Sequence, residues 1–238
     1  MKAVFVSLLA ITALVASTTA SPQTPPAAAA GTDVYHVMFT KAAPGQAAEL
    51  AKVLMTPDKT NAMPDHFVVL RHQEGDDWDY MLIQHMGAKA EVVATPPAGG
   101  VPARPLTAWH NDTFASGPAW GEFTRQMGIG GTANAAGQVY AIGVHRAVAG
   151  HRDQLLSALS APVSASSKIQ TGNLLLQHVE GGDWNFLTVT RYNSWQDLGA
   201  ERAGLASEAA SAPGGWADIR QHSAFHRDTI VDRIFPAK

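Results

Sequence analysis

The chain carries one sequence pattern twice, and this repetition limits its fold more than any other feature. The segment LRHQEGDDWDY, which starts at Leu70, returns as LQHVEGGDWNF, which starts at Leu176, with six of the eleven positions identical. The match continues upstream, in VYHVMFT against VYAIGVH, and downstream, in WHNDT against FHRDT. A period of about 105 residues is far longer than solenoid or propeller repeats, so each copy is predicted to fold as its own unit.

The first twenty residues have the pattern of a secretory signal peptide. Lys2 precedes an apolar run from Val4 to Val15, and small residues end at Ala20. This run is short for a bilayer span, so residues 1–20 are predicted to be cleaved, with an uncleaved anchor as the alternative. Residues 21–32 then form a Pro/Ala-rich spacer. The mature protein is predicted to be periplasmic or extracellular, with no membrane span after cleavage.

The charge balance and the lack of cysteine narrow the chemistry. The chain has 17 basic and 20 acidic residues and a formal net charge of −3. No basic run is present to follow a phosphate backbone, so nucleic acid is not expected as a partner. Zero cysteine excludes disulfides, thiolate nucleophiles and thiolate metal ligands. Any metal would therefore be bound by His, Asp or Glu.

Each copy is predicted to have the element order β-α-β-β-α-β. An alternating strand is followed by leucines at helical spacing, and two strand-like runs then flank EGDD or EGGD as a β-hairpin. A second helix is predicted from about Ala88 in the first copy and from Trp195 to about Ser211 in the second. A closing strand ends each copy. The predicted domains are a first lobe over 33–117, a Gly-rich linker over 118–138 and a second lobe over 139–235.

This order of elements, together with the tandem copies and the export signal, resembles the dimeric α+β barrel superfamily over residues 33–235. In that superfamily two ferredoxin-like units face their sheets together around a cavity. The resemblance implies an α+β fold of two tandem ferredoxin-like lobes that form an intramolecular barrel, as a monomeric pseudo-dimer or a homodimer. Members include cofactor-independent monooxygenases, haem-degrading enzymes, haem peroxidases and chlorite-decomposing enzymes.

The duplicated hairpin supplies the first candidate site residues. His72 and Glu74 are two apart on one predicted strand, as are His178 and Glu180, so the members of each pair point to the same face. A carboxylate beside a histidine can fix its tautomer and raise its basicity. The same residues also suit a hairpin turn, because carboxylates accept backbone N–H bonds. A catalytic role and a structural role therefore both remain open.

Two tryptophans follow these turns at matched positions, Trp78 and Trp184. A large aromatic side chain at such a place packs into a core or stacks on a ligand. The core interpretation is favoured, and ligand binding is the alternative.

The second duplicated cluster pairs histidine with aspartate, as His110 with Asp112 and His226 with Asp228. Such a pair can hold a metal or act as a base with its orienting group. A helix-to-strand junction with capping side chains is the structural alternative. Two histidines and a carboxylate would suit zinc or iron with open positions. The hypothesis is that each copy brings its duplicated histidines together: His72 with His110, and His178 with His226.

Missing motifs also limit the function. The sequence lacks GxSxG, a phosphate-binding Gly loop with Lys, GxGxxG after a strand and HExxH, which argues against hydrolases, kinases, dinucleotide enzymes and metalloproteases. The favoured interpretation is an exported protein that binds a small apolar ligand, without an assignable reaction. One alternative is an oxidoreductase that uses the duplicated histidines, with haem or a His/carboxylate-bound metal as candidate cofactors. The other is a purely structural module. The remaining unmatched histidines carry no shared signal: His36, His66, His85, His145 and His151.

Overall fold

The computed structural model describes residues 31–59, 63–89, 104–130, 137–160, 168–207 and 215–236. The predicted signal peptide and nearly all of the spacer lie outside these ranges. The helix predicted after Ala88 falls at residues 90–103, which also lie outside them. No helix within the described ranges is both long enough and apolar enough to cross a membrane.

The described residues form eight strands and five α-helices, which confirms the predicted α+β class. The strands are β1 Asp33–Ala42, β2 Phe67–Glu74, β3 Tyr80–Ala88, β4 Thr107–Gly117, β5 Val139–Ala147, β6 Gln170–Glu180, β7 Phe186–Tyr192 and β8 Ser223–Phe235. The helices are α1 Ala47–Leu54, α2 Trp120–Met127, α3 Arg152–Leu159, α4 Trp195–Ser207 and α5 Trp216–His222. A 3-10 turn at Arg104–Leu106 leads into β4.

The eight strands close into one antiparallel barrel in the order β1-β3-β2-β8-β5-β7-β6-β4. Within each half the strand order is the same, β2-β3-β1-β4 and then β6-β7-β5-β8. The halves meet along two seams, β2 with β8 and β4 with β6. Closure matters because it removes the unpaired sheet edges that each half would present alone.

The barrel has two different ends. At one end, here called the α2 end, lie the starts of β1, β2, β5 and β6 and the ends of β3, β4, β7 and β8, and helix α2 packs there. At the other end, here called the turn end, lie the β2–β3 and β6–β7 connections. The duplicated hairpin motifs are at the turn end, because each spans the connection between two paired strands.

Buried apolar side chains form a core inside the barrel. Every second residue of a strand faces inward, and the inward set includes Tyr35, Val37 and Phe39 of β1. Trp78 and Trp184 are only 3% and 4% exposed and belong to the same core. Aromatic and branched side chains thus line the interior of the barrel. Each fully buried apolar side chain of this size contributes roughly 1.5–3 kcal/mol.

Two smaller cores lie on the outer face of the barrel. Leu50 and Leu54 of α1 pack on Phe67, Val69 and Tyr80. In the second half, Leu198 of α4 packs on Val139 and Tyr192, which confirms a helix where WQDLGAERAGLAS predicts one. These helices cover the outward apolar residues of the strands.

Helix α2 lies inside the segment 118–138, which the sequence analysis treats only as a Gly-rich linker. Its Phe123 and Met127 are buried in the barrel core. The phenyl ring of Phe123 stacks on Tyr35 with 4.9 Å between ring centroids. The segment therefore closes one end of the barrel as well as joining the halves.

Candidate functional site

A chain of three ionisable side chains lies at the α2 end. Asp33 is the first residue of β1, His85 lies near the end of β3, and His66 directly precedes β2. The β1–β3 register sets Tyr35 opposite His85, with an irregularity between Val34 and Tyr35 that brings Asp33 beside the histidine. Three separate parts of the chain thus converge on one place.

The contacts run in series from the buried carboxylate outward. Nε2 of His85 is 2.7 Å from Oδ2 of Asp33, and both side chains are almost fully buried. Nδ1 of His85 is 3.1 Å from Nδ1 of His66, whose ring is partly open to solvent. We call this series the Asp33–His85–His66 relay.

Aromatic rings cover the relay. The indole of Trp120, the first residue of α2, stacks on His66 at 4.6 Å and on His85 at 5.3 Å, with interplanar angles of 15° and 12°. Phe123 stacks on the same indole at 5.0 Å. The backbone N–H of Trp120 donates to Oδ2 of Asp33 at 3.1 Å. The Trp120 ring therefore covers one side of the relay, and the hydrogen bond from its backbone N–H links the relay to α2.

The hydrogen bonds define where a proton can be accepted. With Asp33 ionised, Nε2 of His85 donates to the carboxylate, which leaves Nδ1 of a neutral His85 as an acceptor. Nδ1 of His66 must then donate across the 3.1 Å contact. The free lone pair of the relay is consequently at Nε2 of His66. A proton taken there creates an imidazolium next to His85, whose other ring nitrogen donates to the Asp33 carboxylate.

The pKa of His66 is shifted in the direction that favours the neutral ring. Burial lowers its pKa from the ordinary value of 6.5, the neighbouring His85 lowers it further, and Asp65 opposes the shift. His66 is thus neutral and able to accept a proton at pH 7.

The duplicated histidines of the hairpins, His72 and His178, lie toward the turn end and face the core. His72 is opposite Val231, packs edge-on against Trp78 at 5.7 Å between centroids, and its Nε2 has no hydrogen-bond partner among the described residues. His178 packs the same way on Trp184 at 5.4 Å. Its Nε2 accepts from the backbone N–H of Gly182 at 3.0 Å, and burial lowers its pKa.

The duplicated carboxylates of the hairpins, Glu74 and Glu180, are exposed at the ends of β2 and β6. The β2–β8 pairing is irregular between His72 and Glu74, so the two do not share a face in the simple alternating way. Instead, each hairpin turn touches the other half of the barrel. The turn at Gly75 lies against Asp228 and Thr229, and the turn at Gly181 lies against Asp112 and Thr113.

The second duplicated cluster lies within strands β4 and β8, so the predicted helix-to-strand junction is wrong. His110 pairs with Thr40, which is opposite Tyr80 on the outer face, whereas His72 faces inward. The wall of the barrel therefore separates the histidines that were expected to meet. Nε2 of His36 is 2.9 Å and Nε2 of His110 is 3.3 Å from the carboxylate of Asp112. The His36 hydrogen bond is the main cause of the lowered pKa of Asp112.

The corresponding cluster of the second half is built differently. Nε2 of His226 is 3.6 Å from Asp228, and the His226 ring stacks on His145 at 5.9 Å. His145 is buried, and this burial lowers its pKa to about 4. Among the described residues, no group of three or more His, Asp and Glu side chains is arranged to hold a metal ion.

The relay residues were missed because none of them is duplicated. At the matched positions the second half has Gln138 for Asp33 and Arg191 for His85, so the α2 end differs between the halves. The difference between the halves at these positions is the sequence signal that could have indicated the site. His66 and His85 carry no duplicated pattern that would indicate a role. Only the strand register brings Asp33 and His85, which are 52 residues apart in the chain, into contact.

No protein-family model and no curated protein matches the chain. Solved structures do resemble it. An anthrone oxidase-like protein superposes with a TM-score of 0.54 at 11% identity, over 86% of this chain and 92% of the other. A monooxygenase-like protein from Fusobacterium nucleatum superposes with a TM-score of 0.55 at 6% identity, over 86% and 93%. At such low identity these similarities show a shared α+β barrel fold and no more.

Proposed function

We propose that this protein is an oxidoreductase of the monooxygenase type, in which the Asp33–His85–His66 relay removes a proton from a small aromatic substrate. The observation that carries the proposal is the relay itself, a buried carboxylate linked through one histidine to a second, partly open one. The name of one fold relative, an anthrone oxidase-like protein, gives the substrate class to try first, an anthrone. The indole of Trp120 stacks face to face on the His66 ring, so the proposed base lies among flat aromatic rings on which such a ring system can pack.

The reaction proposed has dioxygen as its co-reactant. Nε2 of His66 takes a proton from an activated CH₂ group, and the carbanion forms a C–O bond to dioxygen. The proton returns from His66 to the distal oxygen, which gives a hydroperoxide. Loss of water from the hydroperoxide leaves a carbonyl group, so one oxygen atom ends in the product and the other in water.

The buried carboxylate supports this role for His66. A histidine that gains a proton in a site of low polarity needs a nearby negative charge, and Asp33 supplies it through His85. Asp33 also accepts from the Trp120 N–H, so the alternative is a purely structural role in which Asp33 holds α2 in place. The experiment must therefore separate the effect of the Asp33 negative charge from the effect of its hydrogen bond to α2.

The test measures oxygen consumption with anthrone, in wild type and in variants that keep the shape of the site. His66→Gln is expected to lower kcat/KM by about 10²- to 10⁴-fold, the usual contribution of a general base. Asp33→Asn keeps an acceptor for Trp120 but removes the charge, and it is expected to lower kcat with little change in Tm. The rate of wild type is expected to fall as the pH drops below the His66 pKa, which lies under 6.5.

The chain offers a matched control in another histidine pair. Nδ1 of His151 is 2.9 Å from Nδ1 of His222, at the contact between α3 and α5, with no carboxylate in that pair. His151→Gln is expected to leave the rate unchanged. The proposal is refuted if wild type consumes no oxygen with anthrone or related hydroxy-anthrones, or if His66→Gln is as active as wild type. The binding-only interpretation would then be preferred.

We further propose that the two halves are ferredoxin-like units from a tandem duplication, and that the protein acts after export. The equal strand order of the halves and their matched motifs support the first point. The sequence pattern of residues 1–20 supports the second. N-terminal sequencing of the protein recovered from the periplasm tests it, with Ser21 as the expected first residue.

A further inference from the structure

Two buried arginines lie at the α2 end in the second half of the barrel. Arg233 of β8 is 3% exposed and Arg191 of β7 is 8% exposed. Arg233 is opposite the core residue Leu70, and Arg191 is opposite the core residue Tyr140, so both side chains point into the barrel. Arginine is rarely buried so deeply unless it is paired with an acid.

The hydrogen-bond partners of these arginines are all uncharged. Arg191 donates from Nε to the carbonyl of Gln126 at 2.9 Å and from a terminal nitrogen to the carbonyl of Thr171 at 2.6 Å. Arg233 donates from Nε to the Tyr140 hydroxyl at 3.3 Å and from a terminal nitrogen to the carbonyl of Pro236 at 2.8 Å. Within the described part of the chain, neither guanidinium forms an ion pair.

Two like charges in a low-polarity interior destabilise each other and lack the solvation that water would give. Burial lowers the pKa of Arg191, and the charge of Arg233 acts in the same direction. The Tyr140 hydroxyl between them is neutral at pH 7, because burial raises its pKa. The site thus holds net positive charge that its described neighbours do not balance.

A third group beside them lacks a partner. Gln138 is 2% exposed, and its Oε1 is 3.1 Å from the Tyr140 hydroxyl, whose one proton is also directed to the carbonyl of Met127 at 2.9 Å. Its Nε2, which can donate two hydrogen bonds, is buried without a partner among the described residues. A buried donor without a partner, next to two arginines that no described carboxylate balances, favours a negatively charged ligand that only accepts hydrogen bonds.

We propose that Arg191, Arg233, Gln138 and Tyr140 form an internal binding site for an oxyanion, namely a carboxylate or an inorganic oxyanion such as phosphate. The planar guanidinium fork matches the two oxygens of such a group. The site does not rest on the proposed oxidation, and it stands if that proposal fails. The fold does not require it either, because the first half has His85 at the position of Arg191 and Gly117 at that of Arg233.

The test measures the Tm of the dialysed full-length protein at constant ionic strength, with chloride replaced by phosphate, sulfate, acetate or benzoate. Bound anion stabilises only the folded state, so we expect Tm to rise by about 5 °C or more at concentrations far above Kd. A response to phosphate and sulfate identifies an inorganic ligand. A response to acetate or benzoate alone identifies the carboxylate of an organic molecule.

Two variants locate the effect. Gln138→Glu supplies a carboxylate within the chain, so it is expected to raise Tm without added anion and to abolish the anion response. Arg233→Gln is expected to lose the response as well. Arg125→Gln is the control, because Arg125 is an exposed arginine of α2 that pairs with Glu122, and it should respond like wild type. The proposal is overturned if wild type responds to no oxyanion, or if its response persists in both Gln138→Glu and Arg233→Gln.

Discussion

Replacing Gly75 or Gly181 with alanine is expected to destabilise the barrel far more than an ordinary surface substitution. A Cβ atom at Gly75 would lie 2.4 Å from the carbonyl oxygen of Asp228, in the other half of the barrel. A Cβ atom at Gly181 would lie 2.5 Å from the carbonyl oxygen of Asp112. Both contacts are with backbone, so a strand of the opposite half must shift to accommodate the methyl group.

The expected loss in free energy of unfolding has two parts. Gly75 has φ +124° and Gly181 has φ +103°, and an L-residue in such a conformation costs roughly 1–3 kcal/mol. The added methyl group overpacks the contact and costs about 1–3 kcal/mol more. The sum of about 2–6 kcal/mol would lower the Tm of a domain of this size by about 2–4 °C per kcal/mol.

The chain contains a matched pair of control glycines. Gly45 and Gly150 precede α1 and α3 with φ +77° and +82°, and a Cβ atom at either position would meet nothing within 4 Å. Their alanine variants carry the conformational cost without the clash. The assay is urea unfolding of all four single variants. If Gly75→Ala and Gly181→Ala cost no more than Gly45→Ala and Gly150→Ala, the duplicated hairpins do not hold the halves together as described.

Two further predictions concern stability. His145 is buried with a folded pKa of about 4, below the ordinary 6.5, so the unfolded state binds the proton first and stability is lost as the pH falls from 6.5 to 4. This one group should account for roughly 3 kcal/mol between pH 7 and pH 4, and urea unfolding of His145→Gln should show a pH dependence smaller by that amount. Phe123→Ala should cost about 3–5 kcal/mol in the same assay, because the ring fills the core beneath α2. A cost below 1 kcal/mol would mean that α2 is only a linker.

The strands were predictable from the sequence because the pattern of each is local. VYHVMFT and VYAIGVH alternate between inward and outward residues, and β1 and β5 form at those places. Helix α2 could have been predicted but was not. Trp120, Phe123 and Met127 have helical spacing between Pro118 and Gly128, and the glycines that follow drew the segment toward a linker interpretation.

The candidate site could not be predicted in the same way, because it depends on register and on which face each residue occupies. Nothing local in the sequence joins Asp33 to His85, and the β1–β3 pairing does. The duplicated residues lie mainly toward the turn end of the barrel, whereas the proposed relay lies at the α2 end. His72, Gly75 and Asp112 recur because both halves need the same contacts at the turn end. Residues that occur in one half only, such as His66, distinguish the α2 end of the first half from that of the second.

The barrel is closed by one continuous chain, and this has a consequence for how its two halves can change. In a barrel of two identical subunits, every substitution appears twice, so a side chain that improves one half is also imposed on the other. Here α2 joins the halves covalently, and each position mutates alone. The α2 end shows such independent change. Asp33 of the first half corresponds to Gln138 of the second, and His85 corresponds to Arg191. The proposed acid–base relay and the proposed oxyanion site can therefore evolve in the same barrel, each without a copy in the other half.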